Sequence, residues 1–93
     1  MKLGLALPNN QGVERVLDLV HLAEEAERLG FASVWVSEHL WHAAYVAERL
    51  GDRPYHEPLT VLTAAAVSTE RVRLGTSVLI MPWHHPVRLA KTL

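Results

Sequence analysis

The fold is decided by residues 13–37, VERVLDLVHLAEEAERLGFASVWVS, which read as a helix followed by a strand. Polar side chains recur every three or four residues and share one face of a helix predicted over residues 13–29: Glu14, Asp18, His21, Glu25 and Arg28. Asn10 or Gly12 is expected to cap the start of this helix, and Gly30 stands where a left-handed C-terminal cap belongs. The β-branched and aromatic residues at 32–37 predict a strand.

The same alternation extends in both directions. A short apolar run at Leu3–Leu7, stopped by Pro8, predicts a strand before the helix, and a strand–helix–strand unit of this kind places its strands parallel. Downstream, the pattern predicts two helical turns ended by Gly51, a helix opened by Pro58, a third strand and the start of a fourth helix; these cover residues 43–50, 58–67, 72–80 and 87–93. The order indicates the α/β class with a parallel sheet.

Composition narrows the class of function. The chain has 93 residues, 49% of them hydrophobic, and its nine Lys and Arg against ten Asp and Glu give a net charge of −1. This balance argues against nucleic acid or an anionic membrane surface as a partner. There is no cysteine, which excludes thiolate catalysis and disulfides. No export signal is read at the start of the sequence, so we expect a cytoplasmic protein.

Polar and aromatic side chains are concentrated after the predicted strands. They include four of the six histidines and two of the three tryptophans: His39, His42, His84 and His85, with Trp41 and Trp83. Ligands of parallel α/β folds bind beyond the carboxyl ends of the strands, so this distribution predicts a site there. His39 follows a strand directly and is the best candidate for proton transfer, unless it only hydrogen-bonds a loop. Glu38 would normally point the opposite way, but a bend at the strand end could bring both side chains into one pocket.

A metal-dependent hydrolase is an alternative that uses the same histidines. His39, His42 and either His84 or His85 supply enough nitrogen ligands. The spacing is unfavourable, because no His-Glu-x-x-His pattern occurs and adjacent histidines do not readily bind one ion. We therefore assign no metal ligands. No glycine-rich phosphate loop and no nucleophile elbow is present either.

Five motifs, in order, resemble the amino-terminal part of the luciferase-like monooxygenase family, the flavin and deazaflavin oxidoreductases of the bacterial luciferase type. They are Leu5-Ala6-Leu7-Pro8, Ala23–Phe31, Glu57-Pro58-Leu59-Thr60, Arg73–Leu79 and His85–Lys91, and they accompany the Ser-Glu-His-Leu sequence within Val34–Leu40. The resemblance implies a (β/α)8 barrel of the TIM type, of which residues 1–93 would supply the first three β-α units. The motifs are most similar to members that use coenzyme F420, and FMN-dependent monooxygenases are the alternative.

The resemblance also implies roles for single residues. His39 would give or take a proton, and Glu38 would help to hold the edge of the cofactor ring. Trp41 is the nearest candidate for lining the substrate pocket. A non-prolyl cis peptide is expected at Ser77–Val78, behind the ring, so that Thr76, Ser77 and Val78 would contact the cofactor.

Length sets the last expectation. A closed barrel typically takes about 250 residues, and three strands cannot close one. We therefore expect the 93-residue chain alone to be inactive as an oxidoreductase acting on a small organic molecule. The remainder of a barrel, or further copies of the chain, would cover its open sheet. A non-catalytic fragment that persists by forming homo-oligomers is the remaining alternative.

Overall fold

The computed structural model describes residues 1–93 as a three-stranded sheet with helices. The elements, in chain order, are β1 (Gly4–Ala6), α1 (Val16–Arg28), β2 (Ser33–Val36), α2 (Ala44–Leu50), α3 (Pro58–Ser68), β3 (Arg73–Thr76), a 3-10 turn (Met81–Trp83) and α4 (Pro86–Thr92). The strands are parallel in the order β1-β2-β3, with Leu5 opposite Val34 and Val34 opposite Leu74. The predicted α/β class with parallel strands is confirmed.

The core lies on one face of the sheet, beneath α1 and α3. Val34 and Val36 of β2 point into it and are almost fully buried. They meet small or branched side chains from both helices, principally Leu19, Ala23, Val61 and Ala65. Because side chains alternate along a strand, the residues between these valines face the opposite side. None of the helices is long and apolar enough to cross a bilayer.

Trp35 lies on that opposite face and stays 40% exposed. Its indole covers two glycines of the neighbouring strands. A Cβ on Gly75 would stand 2.5 Å from the ring carbons Cε3 and Cζ3, and one on Gly4 would stand 2.8 Å from Nε1. The indole Nε1 donates to Ser33 Oγ at 2.8 Å. Glycine at both positions therefore lets the ring lie close against the sheet.

The end of α1 follows the prediction. Gly30 has a φ of 86°, which is the left-handed conformation expected of the capping glycine. The amide of Phe31 donates to Ala26 O, and the amide of Gly30 donates to Glu27 O, which is the Schellman pattern. The chain therefore leaves the helix in the direction of β2.

Two predicted boundaries are wrong. Neither Asn10 nor Gly12 caps α1, because the helix begins three residues later than the pattern suggested, with Arg15 at its N-cap and no side-chain cap. The third strand ends at Thr76 instead of Ile80, one residue before the cis peptide between Ser77 and Val78. The fourth helix begins at Pro86, one residue before the predicted start, whereas the helix of residues 44–50 is ended by Gly51, as expected.

A carboxylate on α1 holds the connection between α3 and β3. Glu27 Oε2 accepts from the amides of Arg71 at 2.6 Å, Val72 at 2.8 Å and Glu70 at 2.9 Å. These bonds, that of Val72 first, hold the pKa of Glu27 below its usual value. The charged form is therefore favoured by folding. Its contribution to stability is present above about pH 4.5 and is lost as the pH falls through the lowered pKa of the folded state.

Glu27→Gln is expected to lower the thermal unfolding midpoint at pH 7, because a neutral amide oxygen accepts from the three N–H groups more weakly than a carboxylate does. The gap between the variant and the parent should narrow below pH 4.5, where the carboxylate becomes protonated. Glu25→Gln is the matched control, since Glu25 pairs only with Arg28 in solvent. Equal losses for the two variants, measured by circular dichroism from pH 3 to 7, would contradict this role of Glu27.

Candidate active site

Asn9 joins the carboxyl ends of β1 and β2. Its side chain is fully buried; Nδ2 donates to Ser37 O at 2.7 Å and His56 O at 3.0 Å, while Oδ1 accepts from the amide of Ser37 at 3.1 Å. The neighbouring Asn10 donates to Ser37 Oγ at 2.9 Å. The two asparagines thus fix the position of the residues that follow β2.

Glu38 is the one charged residue that is buried, with 5% of its surface exposed. Its Oε2 accepts from the amide of Ile80 at 2.6 Å. His84 Nε2 lies 2.8 Å from Oε1 and 3.0 Å from Oε2. A buried carboxylate needs such partners to offset the loss of its hydration. Glu38 therefore anchors the loop after β3.

His84 also influences the start of α3. Glu57 is the N-cap of that helix and accepts from the amides of Leu59 and Thr60, with Pro58 at the first helical position as predicted. Partial burial opposes ionisation of Glu57, but these hydrogen bonds and the nearby His84 outweigh it and hold its pKa below the usual value.

The predicted non-prolyl cis peptide between Ser77 and Val78 is present, and this expectation is confirmed. Two backbone hydrogen bonds to the end of β2 enclose it. The amide of Ser77 donates to Val36 O at 2.7 Å, and the amide of Glu38 donates to Val78 O at 3.1 Å. The pairing of β2 with the segment after β3 therefore continues beyond the regular strands.

His39 does not share a pocket with Glu38. Its exposed side chain lines a recess of about 390 Å³ together with Trp41 and Tyr55, and Glu38 is not among the residues that line this recess. The ring centroids of His39 and Tyr55 are 5.9 Å apart, and His42 meets Tyr55 edge-on at 4.0 Å. The imidazole of His39 makes no hydrogen bond to the chain, so the structure does not assign it the alternative role of holding a loop.

Trp41 lies near His39 and also contacts the turn after β3. It lines the recess of His39, as expected of a pocket residue, while 72% of its surface is exposed. Its ring centroid lies 6.1 Å from that of Trp83, in the turn after β3. The loops after β2 and β3 are therefore in contact, through an aromatic pair and through the bond from Glu38 to His84.

The histidines do not assemble into a metal site. His84 is bound to Glu38, His42 packs on Tyr55, and no group of three His, Asp or Glu side chains converges anywhere on the chain. The hydrolase alternative loses its ligand set for that reason.

A second recess, of about 380 Å³, opens on the inner face of the sheet at its carboxyl end. Small side chains line it, including Ala6, Ser37 and Ser77. Val78 follows the cis peptide with 64% of its surface exposed, and Thr76 is half-buried at the end of β3. Besides these small side chains, the recess is lined by the indole of Trp35, and a wall of this kind fits a flat ring system, as a flavin or deazaflavin would present.

Sequence reasoning missed several residues of this site. Tyr55 and His56 lie in a segment without periodicity, and nothing in the sequence indicates that it folds back on β1 and β2. The pairing of Glu38 with His84 has a signal in retrospect. Strand alternation places Glu38 on the same side as Val34 and Val36, which is the side of α3 and the loop after β3.

The fold and the rim define the class: a parallel α/β protein whose carboxyl-end loops form an aromatic, histidine-bearing site. Comparison with known proteins identifies the family. The sequence profile of the luciferase-like monooxygenase family matches residues 1–93, and this chain belongs to that family, whose fold is of the TIM-barrel type. No solved structure matches the chain.

Three curated relatives illustrate the range of the family. Limonene 1,2-monooxygenase of Rhodococcus erythropolis is 36% identical over 74 residues, or 80% of this chain and 17% of the relative. F420-dependent glucose-6-phosphate dehydrogenase of Intrasporangium calvum is 42% identical over 64 residues, or 67% of this chain and 17% of the relative. The oxygenase component of flavin-dependent trigonelline monooxygenase of Acinetobacter baylyi is 29% identical over 73 residues, or 78% and 18%. The match thus spans about a sixth of each relative.

Glu38→Ala is expected to release the loop after β3, because the amide of Ile80 loses its buried acceptor. An unsatisfied buried donor costs about 1–3 kcal/mol. Hydrogen exchange at the amide of Ile80, measured by NMR, should accelerate accordingly. Glu38→Gln, which keeps one acceptor oxygen, should accelerate it less, and Glu48→Ala on the exposed face of α2 is the control. Protection of Ile80 unchanged in Glu38→Ala would disprove the anchoring role.

Proposed function

We propose that residues 1–93 supply the first three β-α units, at the amino-terminal end, of a (β/α)8 barrel oxidoreductase that uses coenzyme F420. The reaction would transfer a hydride between the deazaflavin and a small organic substrate. The observation that carries the proposal is the recess at the carboxyl end of the sheet, lined by Ala6, Ser37 and Ser77, beside the loop of His39. The 42% identity to an F420-dependent dehydrogenase supports the choice of cofactor.

The residues of this chain divide between two tasks. Thr76, Ser77 and Val78 would form the wall behind the cofactor ring, because Ser77 lines the inner recess and the other two are its neighbours in the chain, with Thr76 ending β3. The cofactor, when bound, supplies the hydride chemistry. His39 would hold or release a proton on the substrate side, since its imidazole is exposed and free of hydrogen bonds within the chain.

Glu38 acts in this proposal as a positioning residue. Both of its oxygens are engaged by Ile80 and His84, so the carboxylate is directed away from the recess of His39. It holds the segment that carries the cis peptide against the end of β2. Contact between Glu38 and the edge of the cofactor ring, which the family resemblance implies, would require this carboxylate to exchange partners.

An FMN-dependent monooxygenase is the second candidate. Two of the relatives described above are monooxygenases, and one of them is named as flavin-dependent. FMN and F420 share a tricyclic ring, and the inner recess offers both the same small-residue wall. Their phosphate-bearing tails differ, and a direct binding measurement separates the two.

His39→Ala in the oxidoreductase that carries this segment is expected to lower kcat by about 100-fold or more, the range of a lost general acid or base. The dissociation constant of the cofactor should stay unchanged, because the wall of Thr76 to Val78 is intact. His21→Ala, on the exposed face of α1, is the control. Steady-state kinetics with an unchanged kcat for His39→Ala would remove His39 from catalysis.

Native mass spectrometry of the 93-residue chain with F420 or with FMN tests the cofactor. A stoichiometric F420 adduct, with none for FMN, is the expected result if associated chains complete the rim. The reverse preference would favour the monooxygenase candidate. Oligomers that bind neither would support a non-catalytic fragment that covers its open sheet by self-association.

A further inference from the structure

The recess of His39 contains one cationic side chain that forms no ion pair within the chain. Arg49, on the last turn of α2, lines it at the side away from the strand end, and no Asp or Glu is among the residues that form its walls. The guanidinium has no ion-pair partner on the chain; its single hydrogen bond goes to Gln11 Oε1 at 3.3 Å. Arg28 and Arg71 are paired with glutamates, and the other arginines form no ion pair, but Arg49 is the one arginine that lines this recess.

The remaining walls are aromatic or apolar. Trp41, Tyr45 and Tyr55 contribute rings, and Val46 lies between them on α2. Tyr45 and Val46 each neighbour Arg49 on the surface of α2, because they precede it by four and three residues. The recess, of about 390 Å³, is within the usual range of small-molecule sites. It combines flat apolar walls, one guanidinium and the imidazole of His39.

We propose that this recess selects a small aromatic or similarly flat substrate that carries a carboxylate. The planar guanidinium of Arg49 matches the two oxygens of a carboxylate, and it is preferred to an ammonium group for that geometry. Gln11 orients the guanidinium, and Asn10, which contacts both Gln11 and Ser37, links this arrangement to the end of β2. The ring of the substrate then lies among the aromatic walls, beside His39. This inference rests on the proposed function in one respect: the bound molecule is a substrate only if the protein is an oxidoreductase. The preference for a carboxylate follows from the residues that line the recess.

The test compares 3-phenylpropanoate with its neutral amide, 3-phenylpropanamide, as probes of the 93-residue chain. Binding is followed by ¹H–¹⁵N NMR shifts, including those of the indole of Trp41. The acid is expected to bind about tenfold more tightly than the amide, as a charge-assisted hydrogen bond at a partly exposed site would give. Arg49→Gln should abolish this preference, and Arg49→Lys should keep part of it.

Arg53→Gln is the matched control. It removes the same charge from the neighbouring loop, where the side chain of Arg53 packs near Gly12 and does not line the recess. Circular dichroism checks that α2 remains folded in each variant. Equal affinity for acid and amide, no binding of either, or equal effects of Arg49→Gln and Arg53→Gln would overturn the proposal.

Failure of this inference is distinguishable from failure of the proposed function. Cofactor adducts and the turnover of His39→Ala report on the oxidoreductase, and neither depends on the acid–amide preference. A chain that binds F420 without discriminating the two probes would reject only the carboxylate selectivity. A chain that discriminates the two probes but binds no cofactor would retain the proposed acid-binding recess and would reject the proposed oxidoreductase function.

Discussion

The carboxylate of Glu38 is the interaction on which the rim of this structure depends. It is the one buried charge, and it joins the segment after β2 to the amide of Ile80 and the imidazole of His84. Without it, the segment from Ser77 to His84 would retain the backbone bonds at the cis peptide and the contact of Trp41 with Trp83. Those contacts lie at the two ends of the loop, whereas Glu38 holds its middle.

The buried carboxylate also depends on the rest of the fold. Its hydration is lost, so every partner that it keeps must be held in place by other parts of the fold. The position of Ile80 follows from the turn after Thr76, and that of His84 from the start of α4. The rim therefore behaves as a unit: a change in the loop after β3 is felt at the residue immediately before His39.

Much of the fold was predictable because its signals are local. The period of α1, the glycine at its C-terminal cap and the proline at the start of α3 each report on the neighbouring residues only. The N-terminal boundary of α1 was not predictable, since the side chain of Asn10 is drawn to Ser37, which is 27 positions away. The end of β3 was hidden for a similar reason: residues 77–80 are as apolar as a strand, and their turn is set by pairing with β2.

The candidate site, too, was predictable from local signals and unpredictable where its contacts are tertiary. The concentration of histidines and tryptophans after the strands, together with the parallel topology, predicted a site at this rim, where the loops after β2 and β3 are in contact. The family resemblance, and no property of the residues themselves, indicated the cis peptide between Ser77 and Val78. The contacts of Tyr55 with His39 and His42 join residues that are 13 to 16 positions apart through a loop with no regular pattern. Such contacts are tertiary, and a single sequence carries no local signal for them.

Strand β2 contributes side chains both to the hydrophobic core and to the candidate site. Its side chains alternate, and the alternation continues past the last regular strand residue. Val34, Val36 and Glu38 face the helices, where two are core and the third anchors the loop. Trp35, Ser37 and His39 face the other way, onto the inner recess and the rim. Because the two sets share one backbone, the burial that fixes the first set also sets the direction of the second. The placement of His39 is therefore a consequence of core packing, and its side chain remains free for a ligand.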